Sequence, residues 1–176
     1  DDFSEAAVAK FTARLSPWGR ELAGEAERAT EEDDRIDAVV LLRAMETLRE
    51  ELSGHASHRR QPTFHLTIVG VGLAEALGST DRSAWSGRIA GLPAFLDRAS
   101  RCLEDVPDLF REMGLEMIPG LKAGISSLCS RGYAVGAVPE AFDRFEGALG
   151  AMKTGSSFLL PATQLDRVVK DHLGCG

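Results

Sequence analysis

Apolar residues in this chain recur at steps of four and three, and that spacing restricts the fold more than any other feature. Trp85, Ile89, Leu92, Leu96, Ala99 and Leu103 follow it, as do Val106, Phe110, Met113, Met117 and Leu121, and then Val138, Phe142, Phe145, Leu149 and Met152. Side chains at these steps share one face of an α-helix, whereas a half-buried strand alternates by two. Three such stripes, with no alternating segment, predict an all-α protein. Helices must then pack on helices in an irregular array of about seven or eight, several of them kinked or bounded by proline. The stripes specify packing and say nothing of chemistry.

Local signals divide the chain further. Phe3 to Leu15 reads as a helix ended by Ser16-Pro17, and Gly19 to Ala29 as a short second one. Asp34 to Leu52 follows, with Leu41, Met45, Leu48 and Leu52 as its stripe and Ser53-Gly54 as its stop. His55 to Gln61 reads as a polar loop ahead of Pro62. Thr63 to Leu77 is the next helix, with Leu66, Val69, Leu73 and Leu77 on one face. Asp81 to Leu103 contains Pro93, which is expected to kink or divide it. Asp105 is the expected cap of a following helix that carries Pro107 in its first turn and breaks at Pro119-Gly120. Pro139 to Met152 and Pro161 to Leu173 complete the set. The chain lacks an initiator Met and ends at Gly174-Cys175-Gly176. It therefore reads as one helical domain over residues 1–176, or a fragment of a longer protein, with residues 1–33 as a loosely packed extension.

Charge and cysteine content bear on partners and compartment. Residues 21–54 hold eleven acids and four bases, while all other residues balance at sixteen of each. A chain with no basic face lacks what phosphate neutralisation needs, so nucleic acid is not the expected partner. The run Glu31 to Asp34 reads as a helix start whose acids complement the positive end of the dipole, capped by Thr30 or Asp33. The longest apolar stretch, Leu66 to Ala74, is broken by Thr67, Gly70 and Gly72, so no membrane span is expected. Cys102, Cys129 and Cys175 are odd in number and far apart. That pattern fits no disulfide framework and is compatible with a reducing compartment such as cytoplasm, although compartment stays open. Cys102 and Cys129 are expected to be buried, inert thiols.

No residue group has the types and spacing of a complete site, so the expectation is no catalytic, cofactor-binding or metal-ligating residue in this chain. His55-x-x-His58 has ligand spacing, but Arg59 and Arg60 beside it oppose a cation, and a solvated loop is the simpler reading. Gly70-Val-Gly72 could belong to a strand–turn–helix nucleotide site, yet Glu75 stands where the fingerprint needs Gly or Ala. His65 is expected in the core or at its boundary. Ser126-Ser127 and Ser156-Ser157 have no histidine base in sequence context.

The segment Arg60-Gln-Pro-Thr-Phe-His-Leu, the run from Arg88 to Pro107, Phe142-Asp-Arg-Phe and Asp171-His-Leu-Gly occur in a telling order. Over about residues 35–173 they resemble the N-terminal helical part of the bacterial domain-of-unknown-function family 885. Arg88, Leu92, Pro93, Leu96, Ala99 and Leu103 match its leucine–proline helix pattern, with Ile89 for the usual Leu and His65 where an aromatic is common. The resemblance implies an all-α protein whose full-length members look like zinc metallopeptidases, through a downstream H-E-x-x-P-G-H-like motif. That motif is not in this chain, so the resemblance assigns no catalytic or metal residue to any position here. It implies a non-catalytic front segment forming one wall of a helical substrate cleft, with zinc held elsewhere in a longer parent. The alternative is a stand-alone helical interaction module that binds a protein or peptide partner.

Overall fold

The computed structural model describes residues 3–153. Among them every regular element is helical: α1 (Glu5–Arg28), α2 (Glu32–Glu50), the single turn α3 (Ser57–Arg60), α4 (Pro62–Gly78), α5 (Arg82–Cys102), α6 (Asp108–Ser130) and α7 (Val138–Ala151). The all-α expectation holds. The helix expected over Pro161 to Leu173 lies outside the described residues. The described chain falls into two compact units, Ser4–Ser57 and residues 58–153 together with Phe3.

The first unit is a helical hairpin. Ser4 caps α1 by accepting a hydrogen bond from the Ala7 backbone N–H at 3.3 Å. Only three residues separate α1 from α2, so the two run antiparallel. Leu15 and Ala38 are buried between them. The break expected at Ser16-Pro17 does not occur, and α1 runs through Pro17 as one helix. Pro17 sits on the solvent side, where the carbonyl it leaves without a helical partner can turn to water. The α2 stripe also differs from expectation. Of its four members Leu52 is buried and Met45 half-buried as expected, but Leu41 and Leu48 are 52% and 40% exposed, and Ala38 and Leu42 face inward in their place. Glu32, Asp33 and Asp34 do open α2, but Glu31 is its N-cap and neither Thr30 nor Asp33 caps it. After α2 the backbone widens into a π-type turn, Glu51–His55, which ends at Ala56 in the left-handed conformation, φ 50°.

The second unit is a ring of four helices. α4 packs on α5 and α6, and α7 packs on the same two from the other side. The α4 face Leu66, Val69 and Leu73 is buried as its helical spacing requires, and the Gly-containing segment is helix throughout. In α5, Ile89, Leu96 and Ala99 are buried; in α7, Val138, Phe142, Phe145 and Leu149 are. The α6 stripe is rotated from its expected position. Met113 is exposed, and Gly114, Ile118, Ile125 and Leu128 face the core. Gly114 explains the shift, because a Cβ there would lie 2.9 Å from Pro62 Cβ, closer than side chains approach. Glycine lets α4 and α6 meet at that point.

The break expected at Pro119 does not occur, and α5 likewise runs through Pro93 as one helix, leaving a kink as the surviving form of that expectation. An interior proline costs about 3 kcal/mol in hydrogen bonding and steric clash. Buried apolar side chains on both sides of each proline offset that cost: Ile89 with Leu96, and Ile118 with Ile125. Asp105 does not cap α6. Its backbone adopts φ 49°, and Pro107 is the residue at the N-cap. Asp81 does cap α5, accepting from the Ser83 and Ala84 N–H groups. Across the ring, Lys122 on α6 binds both Asp143 and Glu146 on α7, at 2.7 and 2.5 Å. Arg144 on α7 reaches Asp97 on α5 at 3.1 Å.

Candidate functional site

Helix α4 touches α5 less extensively than it touches α6, and the two diverge enough to leave a groove. Ile68, Val69, Gly72 and Leu73 form one wall; Trp85, Ile89, Leu92 and Phe95 form the other. The cavity is about 490 Å³. Periodicity makes the site. The α5 residues at steps of three and four turn one edge of their stripe to the core and the other edge to this opening. Val69, Leu73 and Ile89 are buried at its floor, and Ile68, Trp85, Leu92 and Phe95 are half-exposed.

Two exposed arginines on α5, Arg88 and Arg98, line the same groove. The Arg88 guanidinium lies over the Trp85 ring, 4.7 Å from its centroid, a cation–π arrangement that orients both groups. Among the described residues no acid lines the groove. Asp97, the acid nearest in sequence to Arg98, is engaged by Arg144. Ten residues separate the arginines, about 15 Å along the helix axis. The groove therefore joins an apolar floor to two positive charges spaced wider than a small carboxylate can bridge.

Phe95 connects the groove to an aromatic cluster behind it. His65 meets Phe95 edge-on at 5.9 Å, Phe64 at 5.3 Å and Phe3 at 5.7 Å. His65 Nε2 donates to the His58 backbone carbonyl at 2.7 Å. Burial holds the His65 pKa below its ordinary value of 6.5, with a nearby His58 charge adding to that effect and the carbonyl bond opposing it. His65 is thus a neutral member of the apolar core.

The residues singled out by sequence fall elsewhere. His58 is not on a solvated loop; it is 3% exposed on α3 and stacks on Phe3. His55 pairs with Glu51 at 3.0 Å. Among the described residues no group of three or more His, Cys, Asp or Glu comes together as metal ligands. The Ser126 and Ser127 hydroxyls donate to the backbone carbonyls of Lys122 and Ala123 one turn earlier. Cys129 is exposed rather than buried, and Cys102 is half-buried. Ser156-Ser157 and Cys175 lie outside the described residues.

Sequence reading missed the groove arginines, although a signal was present. Arg28, Arg35, Arg43 and Arg111 each pair with an acid three residues away on their own helix. Arg88 and Arg98 have no acid at three or four residues in either direction. Exposed arginines without such neighbours have no ion pair on their own helix to hold them. No helix among the described residues is long and apolar enough to cross a membrane. Compared with protein-family models, with curated proteins and with solved structures, the chain finds no match in any of the three.

Proposed function

We propose that this chain is a helical binding module whose α4–α5 groove takes a peptide segment carrying apolar side chains and two acidic groups. The observation behind this reading is the pairing of Arg88 and Arg98 with an apolar floor that no acid of its own neutralises. An extended peptide rises about 3.3 Å per residue and turns alternate side chains to one face, so carboxylates four residues apart share a face about 13 Å long and reach both arginines through their flexible side chains. The apolar side chains between them would cover Ile68, Trp85, Leu92 and Phe95. Within a longer protein of the family that the sequence resembles, the same groove would serve as one wall of a substrate cleft, with bond chemistry and zinc supplied elsewhere.

The test uses the full chain and the peptide acetyl-Glu-Leu-Phe-Leu-Glu-amide. Trp18→Phe leaves Trp85 as the one tryptophan, so binding reads out as a change in its fluorescence. Exposed ion pairs contribute about 0.2–1 kcal/mol each. The acidic peptide should accordingly bind several-fold more tightly than its Gln analogue, and Arg88→Ala with Arg98→Ala should erase that preference. Gly91 lines the groove, and a Cβ there meets nothing within 4 Å. Gly91→Leu should block binding and leave helical content unchanged. Equal binding of the acidic peptide and a Lys analogue would overturn the reading.

A further inference from the structure

The α1–α2 hairpin carries large apolar residues on more faces than one partner helix can cover. Phe11 and Trp18 on α1 are 38% and 44% exposed, and α2 exposes Ile36, Val39, Val40, Leu41 and Leu48. Helix α1 covers the side of α2 that bears Ala38 and leaves these apolar side chains open. At about 100° per residue, Phe11 and Trp18 share one flank of α1 beside buried Leu15, and Leu41 and Leu48 share one flank of α2 beside buried Ala38. In an antiparallel pair these two flanks lie on the same side. They form one continuous apolar surface.

We infer that this surface is the interface with a second copy of the same chain, the two hairpins packing face to face and antiparallel into a four-helix bundle. Charge favours a second copy in that orientation. The tip of the hairpin, residues 21–37, holds eight acids and two bases, and those bases, Arg28 and Arg35, are held by Glu25 and Glu32 of their own helices. The remainder, residues 4–20 and 38–55, holds four acids and five bases, among them Lys10, Arg14 and Arg20. Antiparallel stacking sets each acidic tip against the other copy's nearly neutral end, which carries Lys10, Arg14 and Arg20, and keeps the two acidic tips at opposite ends. Arg14 lies over Trp18, 5.1 Å from the ring centroid, which places a cation at the edge of the apolar surface. The size is also suitable. The whole hairpin flank, about 30 Å long and two helix diameters wide with the apolar patch covering about 10 Å of that length, is some 600 Å² in projection, of the order of the ~800 Å² per partner of a standard interface.

Sedimentation velocity of the full chain at about 100 µM, which saturates any micromolar self-association, tests this inference. A dimer is expected. Trp18→Glu with Leu41→Glu should give a monomer of unchanged helical circular dichroism, and Arg14→Glu should weaken the dimer several-fold. Arg88→Glu with Arg98→Glu should leave it intact. A monomeric wild type overturns the inference, including one whose Trp18 emission in a Trp85→Phe background is already blue-shifted, because the surface is then covered within a single chain. A dimer that survives Trp18→Glu with Leu41→Glu, or that is lost on Arg88→Glu with Arg98→Glu, overturns it as well.

Discussion

His65 Nε2 donates to the carbonyl of His58 at 2.7 Å, and the other ring nitrogen of His65, Nδ1, is buried without a hydrogen bond. This fixes the neutral tautomer. A second proton would have to sit on Nδ1, among Phe3, Phe64 and Phe95, with no acceptor in reach. The bond joins α3 to α4, while burial of the ring, with no partner for Nδ1, is what disfavours its charged form.

The expected consequence is a loss of stability in mild acid. The folded-state pKa of His65 lies below the ordinary 6.5, so between those two values the unfolded chain binds more protons than the folded one. Stability contributed by the neutral ring is fully present above pH 6.5. It falls as pH drops below that value and levels off beneath the folded-state pKa. Urea midpoints measured from pH 8 to pH 5 should decline across this window. His65→Gln, which retains a donor and does not titrate, should flatten the decline. An equally steep curve for the variant would show that other groups govern the acid response.

Two glycines in the ring should respond to alanine in opposite directions. At Gly114 the new methyl meets Pro62 Cβ at 2.9 Å and Leu149 Cδ1 at 3.4 Å. Overpacking of about 1–3 kcal/mol should outweigh the gain in helix propensity there, which is ~1 kcal/mol. At Gly147, inside α7, an added Cβ meets nothing within 4 Å. Gly147→Ala should therefore stabilise by up to ~1 kcal/mol. Chemical denaturation of both variants checks the pair, and a stabilised Gly114→Ala would mean that α4 and α6 separate more easily than their packing indicates.

Thiol reactivity should separate the two described cysteines. Cys129 is exposed near the end of α6, whereas Cys102 is half-buried with its Sγ 3.6 Å from the Phe3 carbonyl oxygen. In a Cys175→Ser background, Ellman's reagent should titrate one thiol rapidly and the other slowly. Cys129→Ser should remove the fast phase alone.

Periodicity was legible wherever large residues mark a face by themselves. Val138, Phe142, Phe145 and Leu149 on α7 are buried as their spacing demands. It misled on α6, where the face is set by Gly114, a residue that no count of apolar side chains registers. It misled on α2, whose many apolar positions offer several competing stripes; α1 takes Ala38 and leaves Leu41 and Leu48 out. The prolines were overweighted because their local cost is visible in sequence, and the long-range burial that offsets it is not. The groove lay beyond sequence reading for a related reason. Trp85 and Phe95 read simply as stripe members, and only the divergence of α5 from α4 leaves their edges open.

The alternation of partners around the ring also sets an order of events during synthesis. α4 must wait for α6, since the surface bearing Leu66, Val69 and Leu73 is closed mainly by a helix whose last core residue, Leu128, comes about sixty positions after Leu66. At ribosomal rates of about 5–20 residues per second, that surface stays open for several seconds on every nascent chain. Chaperone capture should concentrate in that interval, and ribosome-bound chains stalled before α6 should be held far more strongly than chains stalled after it.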